Sequence, residues 1–180
     1  MTHVRGTEIP GVILLHHRIH QDERGSFGRV FDQLWNEVHE FDIKQVNLSS
    51  SRTAGTLRGM HFQTGTAQES KIVTCLAGKI FDVVVDLRKE SSTYLKWCGI
   101  ELSNADGHGL LIPTGCAHGF LTLESDVKLL YLHDNFHDSA REAGINFADP
   151  TIGIDWPGNI AVVSSRDQTL PMVDADFVGL

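Results

Sequence analysis

The chain has 180 residues, 41% of them hydrophobic, enough for a sizeable core in one domain, and no Pro- or Ser-rich linker or charge block divides it. Its formal net charge of -8 argues against a nucleic-acid partner, which wants a basic face, so phosphates on a small ligand would fall to a few local cations. Cys75, Cys98 and Cys116, with no CxxC spacing, fit packed thiols rather than a disulfide framework or zinc knuckle, and no apolar run is long enough for a signal peptide or a membrane span, so a soluble cytoplasmic protein is expected.

In chain order, short segments rich in β-branched and aromatic residues predict strands over 11–15, 28–31, 43–48, 71–76, 80–87, 97–102, 109–112, 120–123 and 127–132. Strands at this spacing, parted by Gly, Asn, Asp and Ser, predict an antiparallel sandwich or barrel. Helical signal is confined to 32–41, where Asp32 is placed to cap and Leu34, Trp35, Val38 and Phe41 fall at helical spacing, and to a short turn over 139–143. Segments 71–76 and 80–87 read as a hairpin turned near Ala77 and Gly78, and NADG at 104–107 reads as another turn. The run IFDVVVDL at 80–87 is interrupted by Asp82 and Asp86.

The residues that carry chemistry lie in GTLRGMHF (55–62), at Lys71, and in IPTGCAHGF (112–120). Two imidazoles, a guanidinium and an ammonium on successive strands suit holding an anionic ligand and moving a proton on it. Arg58 and His61 are three positions apart and in a regular strand would point to opposite faces, so both reach one cavity only if the backbone bends, which Gly55 and Gly59 permit. Pro113, Gly115 and His118 form a Pro-x-Gly-x-x-His pattern that shapes a turn before a strand delivering His118 inward. Other histidines, His16, His17, His20, His39, His108 and His133, have no spacing that makes a second site and read as surface or strand residues.

Residues 55–61 and 109–118 look like the two halves of a cupin-type double-stranded β-helix, a mainly β jelly-roll barrel with short peripheral helices. The His-x-His metal pattern is absent because position 63 is Gln63, so no metal and no cofactor is expected. The signatures DERGSF (22–27), QVNLSSS (45–51), GTLRGMHFQ (55–63), SKIVTCLAGKIFDVVVDLR (70–88), IPTGCAHGF, LLYL (129–132), DPTIGIDWP (149–157) and SSRD (164–167) resemble the metal-free nucleoside-diphospho-4-keto-6-deoxysugar epimerases, the family typified by dTDP-4-dehydrorhamnose 3,5-epimerase.

That resemblance implies an isomerase of deoxysugar (rhamnose-like) biosynthesis that inverts C3, C5 or both. Such a reaction needs a base for a carbon-bound proton, a stabiliser for the enolate and an acid on the opposite face. By resemblance His61 is the base, Asp167 fixes its tautomer, Lys71 stabilises the enolate oxygen and Tyr131 returns the proton. Arg24, Phe27, Gln45, Asn47, Arg58, His118, Glu142 and Arg166 fall where the family binds the nucleotide, its diphosphate and the sugar. The segment around Arg24 and Phe27 reaches a neighbouring subunit's site in the family, which implies a homodimer whose partner molecule is a nucleoside-diphosphate sugar, with no nucleic acid and no membrane.

Two positions depart from the family pattern. Arg29 stands where a glutamate is usual, replacing an acceptor with a donor beside the base, and His137 stands where a second tyrosine often flanks the sugar. The nucleotide base and the number of inverted centres are therefore open. A 3,4-ketoisomerase on the same substrates and a catalytically lapsed sugar-nucleotide-binding protein are the competing readings, and a metal-dependent cupin oxygenase ranks last.

Overall fold

Alternation along one strand shows how the layers arise. In β8 (Lys79–Asp86) Ile80, Asp82 and Val84 face one way while Phe81, Val83 and Val85 face the other, and every residue from Asp82 to Asp86 is buried, so the strand must be covered on both sides. The structure, a computed structural model, describes residues 3–35, 38, 40–174 and 176–180. Two six-stranded sheets face each other. The first runs β1 (His3–Gly6), β2 (Ile13–His16), β10 (His108–Ile112), β7 (Lys71–Ala77), β12 (Val127–His133), β5 (Gln45–Ser51). The second runs β13 (Glu142–Gly144), β6 (Thr56–Gln63), β11 (Cys116–Thr122), β8, β9 (Trp97–Ser103), with β14 (Val162–Val163) parallel to β6. Ladders within both sheets are otherwise antiparallel, as expected for a cupin-type jelly roll.

Three apolar clusters hold the layers. Val73, Cys75, Ile80, Val84, Leu110 and Leu129 meet between the sheets. Met60, Val83, Val85 and Ala117 back the second sheet against Trp156, Phe177 and Leu180, and Leu15, Ile72 and Leu132 back the first against Trp35, Val38 and Phe41. Burying an aliphatic side chain of this size contributes about 1.5–3 kcal/mol.

The expected hairpin of 71–76 with 80–87 does not form. β7 and β8 lie in different sheets, and Gly78, at φ +74°, turns the corner between them. Val73 and Cys75 need to meet Ile80 and Val84 across the core, which side-by-side pairing would prevent. No strand covers 28–31. Instead β3 (Ile19–Asp22) and β4 (Gly25–Gly28) make a small hairpin, because the Asp22 carboxylate accepts the Arg24 N–H at 2.8 Å and Gly25 takes φ +128°. The strands expected over 11–15 and 43–48 begin later, at Ile13 and Gln45.

The expected helix over 32–41 is a chain of i to i−3 turns, with Trp35, Val38 and Phe41 donating to Asp32, Trp35 and Val38 at 3.0, 3.1 and 2.9 Å; residues 36, 37 and 39 lie outside the described ones. Three-residue spacing puts Trp35, Val38 and Phe41 on one side, over the first sheet, and leaves Leu34 exposed. Asp32 does accept the Leu34 N–H at 3.1 Å. Short peripheral helices among the described residues include a 3-10 turn at Gly65–Ala67 and α1 (Ser165–Gln168), capped by the Ser164 hydroxyl.

The bend expected in the GTLRGMHF stretch is present. His61 of β6 stands opposite His118 of β11 and Arg58 opposite Phe120, so three residues on one strand span two on the other and Arg58 and His61 come to share the inner face. Gly59 sits at φ +128°, and a Cβ there would lie 2.6 Å from the Gly119 Cα and 3.0 Å from the His118 carbonyl oxygen. Gly59→Ala is therefore expected to lower the unfolding free energy by at least about 1–3 kcal/mol, the range for a side chain forced into such a backbone region. Urea denaturation measures it, and an unchanged midpoint would refute this account of the bulge.

Candidate functional site

Period-two alternation and the bulge turn polar side chains of both sheets into one cleft of about 560 Å3. From the first sheet come two cross-strand rows, Gln45–His133–Lys71 and, one step deeper, Asn47–Tyr131–Val73. The second sheet contributes Arg58, His61 and Gln63 from β6, His118 from β11 and Glu142 from β13, while α1 brings Arg166 and Asp167 to the rim and floor.

His61 and Asp167, 106 residues apart, meet at 2.8 Å between Nε2 and Oδ1. Asp167 is buried and its other oxygen accepts the Gly59 N–H at 3.2 Å. A carboxylate can only accept, so Nε2 carries the proton and the lone pair resides on Nδ1. His61 keeps a third of its side chain exposed. Facing it across the cleft, Tyr131 belongs to the other sheet, and burial, followed by the nearby Asp82 carboxylate, pushes its phenol far above the ordinary value, so it stays protonated at neutral pH.

Lys71 is a buried lysine, 3.0 Å from Glu69, rather than a solvated edge residue. Glu69 also accepts from Gln63 Nε2 at 2.9 Å and lies 3.2 Å from His133 Nδ1. Burial by itself raises the Glu69 carboxyl, but the adjoining His133 imidazole and Lys71 ammonium outweigh it and bring the group down to about 2. His118 and Asp82 form a second buried pair at 2.6 Å. Burial pushes the Cys116 thiol up to about 12 and those of Cys75 and Cys98 up to about 11, and all three are free, as packed thiols should be. Among the described residues no group of three or more His, Cys, Asp or Glu side chains is arranged to hold a metal ion.

The cleft thus unites His61, Lys71, Tyr131 and Asp167 with Asn47, Arg58, His118, His137, Glu142 and Arg166. Arg58 is steadied by Ser51 and by the Ser50 carbonyl, and Arg166 pairs with Glu142 at 2.9 Å. Gln45 stands at the edge, accepting the His137 backbone N–H. Arg24, Phe27 and Arg29 do not line this cleft. Arg24 pairs with Asp22 on the β3–β4 hairpin, Phe27 is 73% exposed, and Arg29 pairs with Asp32.

His133 is a strand residue, as expected, but it also lines the cleft, stacked on Tyr131 with ring centroids 6.0 Å apart and planes 18° from parallel. His17 is neither a surface nor a strand residue. It packs on Trp35, and burial, with His108 and His16 nearby, lowers it to about 4. Glu69 and Asp82 were not singled out. A usable signal existed in the two-residue period, which puts His133 on the face of Tyr131 and Asp82 on the inner face of Ile80 and Val84.

A jelly roll with a polar cleft of this kind between its sheets places the chain among the cupin-like enzymes. The dTDP-4-dehydrorhamnose 3,5-epimerase family model matches residues 6–175. The dTDP-4-dehydrorhamnose 3,5-epimerase of Shigella flexneri is 39% identical over 175 residues, covering 95% of this chain and 96% of that one. The dTDP-4-dehydrorhamnose 3-epimerase of Streptomyces niveus is 39% identical over 139 residues, covering 77% and 67%. The crystal structure of the Bacillus anthracis 3,5-epimerase with TDP and pyrophosphate bound superposes with a TM-score of 0.91 at 34% identity, covering 96% of this chain and all of that one. The chain belongs to the dTDP-4-dehydrorhamnose 3,5-epimerase family and is an isomerase of the epimerase class.

The folded Glu69 lies below its ordinary 4.5, so its ionised form adds stability above about pH 4.5 that is lost as pH falls toward about 2. Glu69→Gln is expected to be less stable than wild type at pH 7 by on the order of 2–3 kcal/mol, with the deficit closing below pH 4.5. Denaturation at several pH values checks this, and a deficit independent of pH would contradict it.

Proposed function

We propose that this enzyme epimerises a dTDP-linked 4-keto-6-deoxy sugar at C3, C5 or both, in deoxysugar biosynthesis. The observation that carries this reading is the placement of His61 on one sheet, held by Asp167 of α1, and of Tyr131 on the other, both lining one cleft of about 560 Å3. His61 Nδ1 takes the proton on the carbon beside the ketone, and the electron pair of that C–H bond moves onto the carbonyl oxygen as an enolate. Lys71, a buried ammonium at the same cleft, stabilises that oxygen where the local dielectric is low. Tyr131 donates its O–H proton to the opposite face of the carbon and is left as tyrosinate. Because burial raises its phenol, the tyrosinate recaptures a proton readily, which resets the site.

Arg58 and Arg166 at the rim supply forks for the diphosphate, the geometry to which guanidinium is suited. Thymidine as the base follows from the substrates in the relatives' names. We further propose that the exposed β3–β4 hairpin, with Arg24 and Phe27, serves the cleft of a second copy in a homodimer. Asn47, His118, His137 and Glu142 then contact the sugar and nucleotide from within the chain, with Gln45 holding His137, while Arg29, next to the hairpin, stands beside the base in the cleft of the second copy.

His61→Asn is expected to cut turnover by at least about 100-fold while leaving dTDP affinity within about twofold. Tyr131→Phe is expected to retain exchange of the substrate C–H proton with solvent deuterium while losing inverted product. Proton NMR in deuterated water with dTDP-4-keto-6-deoxyglucose reads both. Undiminished exchange in His61→Asn would remove it from the base role, and normal inversion by Tyr131→Phe would remove it from the acid role.

A further inference from the structure

We infer that Glu69 is a positioning residue for the epimerase site, keeping Lys71 charged and in place and holding His133 flat against Tyr131. This rests on the reading of Lys71 and Tyr131 given above. Glu69 is 9% exposed at its side chain and sits where three elements converge. Lys71 of β7 meets one oxygen at 3.0 Å, while Gln63 of β6 donates to the other at 2.9 Å and His133 Nδ1 of β12 comes within 3.2 Å of it as an ion-pair contact without hydrogen-bond geometry. Gln63 in turn accepts the Asp138 N–H at 2.7 Å, so the same carboxylate is connected to the segment that carries His137.

The physical need is plain. An ammonium taken out of water loses its proton readily unless an anion stands beside it, and a neutral amine would stabilise an enolate oxygen far less. Lys71 has 9% of its side chain exposed. The titratable groups around it are Glu69 beside it, His133 and Tyr131 on β12, Cys116 and His118 on β11, and Asp82 on β8 behind His118. Asp82 is engaged by His118 at 2.6 Å, so Glu69 is the carboxylate within ion-pair distance of Lys71 among the described residues. The cross-strand row of Lys71 and His133 sits one step from Tyr131, so the carboxylate that holds both also sets the platform on which the Tyr131 ring rests.

The test compares the full-length wild type with Glu69→Gln and Glu69→Asp. Lysine-selective NMR follows the titration of the Lys71 ammonium, and kcat and KM for dTDP-4-keto-6-deoxyglucose are measured across the same pH range. In Glu69→Gln, with the neighbouring anion gone, the Lys71 ammonium is expected to lose its proton at lower pH than in wild type, with the basic limb of kcat following it. At neutral pH kcat should fall about tenfold or more with KM changed less than about threefold. Glu69→Asp, which keeps the charge, should restore most of the wild-type titration. An identical Lys71 titration in wild type and Glu69→Gln, or a loss of kcat equal at every pH, overturns the proposal. A Lys71 titration that differs between wild type and Glu69→Gln, when the wild type itself shows no turnover, would support the Glu69–Lys71 coupling and count against the epimerase reading.

Discussion

Everything at the site depends on how closely β6 and β11 approach at Gly59 and Gly119. A Cβ on Gly59 would meet the Gly119 Cα at 2.6 Å, and one on Gly119 would meet the Arg58 carbonyl oxygen at 2.7 Å. Only two glycines allow that proximity, and it is where β6 gains its extra residue. Without the extra residue Arg58 and His61 would alternate across the sheet. With it, the guanidinium and the imidazole enter one cleft, and the Gly59 N–H is turned onto the carboxylate that holds the imidazole.

From that point the jelly roll supplies the stereochemistry. Two sheets packed face to face have inner surfaces that look at each other across a core, and at the polar end of this core the facing side chains are His61 on one and Tyr131 on the other. On the proposed reading, a sugar ring held between them would have one residue against each face. Most buried polar groups in this region come in partnered sets, His61 with Asp167, His118 with Asp82, and Lys71 and Gln63 with Glu69, as the cost of burying an unpaired charge requires, while Asp82 Oδ2 and His133 Nδ1 make no hydrogen bond.

Much of this was legible in the chain. Short β-branched runs and turn residues were enough to predict an antiparallel barrel, and the glycines around Arg58 and His61 signalled the bend. The sheet assignment was not legible, because a short turn with a positive-φ glycine at Gly78 looks alike whether it closes a hairpin or crosses between sheets. The β3–β4 hairpin was missed since its residues are exposed on both sides and carry no burial pattern. The roles of Asp82 and Glu69 were hidden for another reason. A carboxylate in an apolar run or a loop declares its role only through the partner the fold brings to it, here His118 from β11 and Lys71 and His133 from two further strands.

The most direct test of the central claim, that His61 and Tyr131 act on opposite faces of one sugar ring, is a crystal structure of the complex with a dTDP-linked 6-deoxy sugar. The account predicts the ring between the sheets, with His61 Nδ1 directed at one face of the carbon beside C4, the Tyr131 hydroxyl at the other, and Lys71 near the C4 oxygen. A sugar bound with both residues on the same face, or lying outside the cleft, would contradict it.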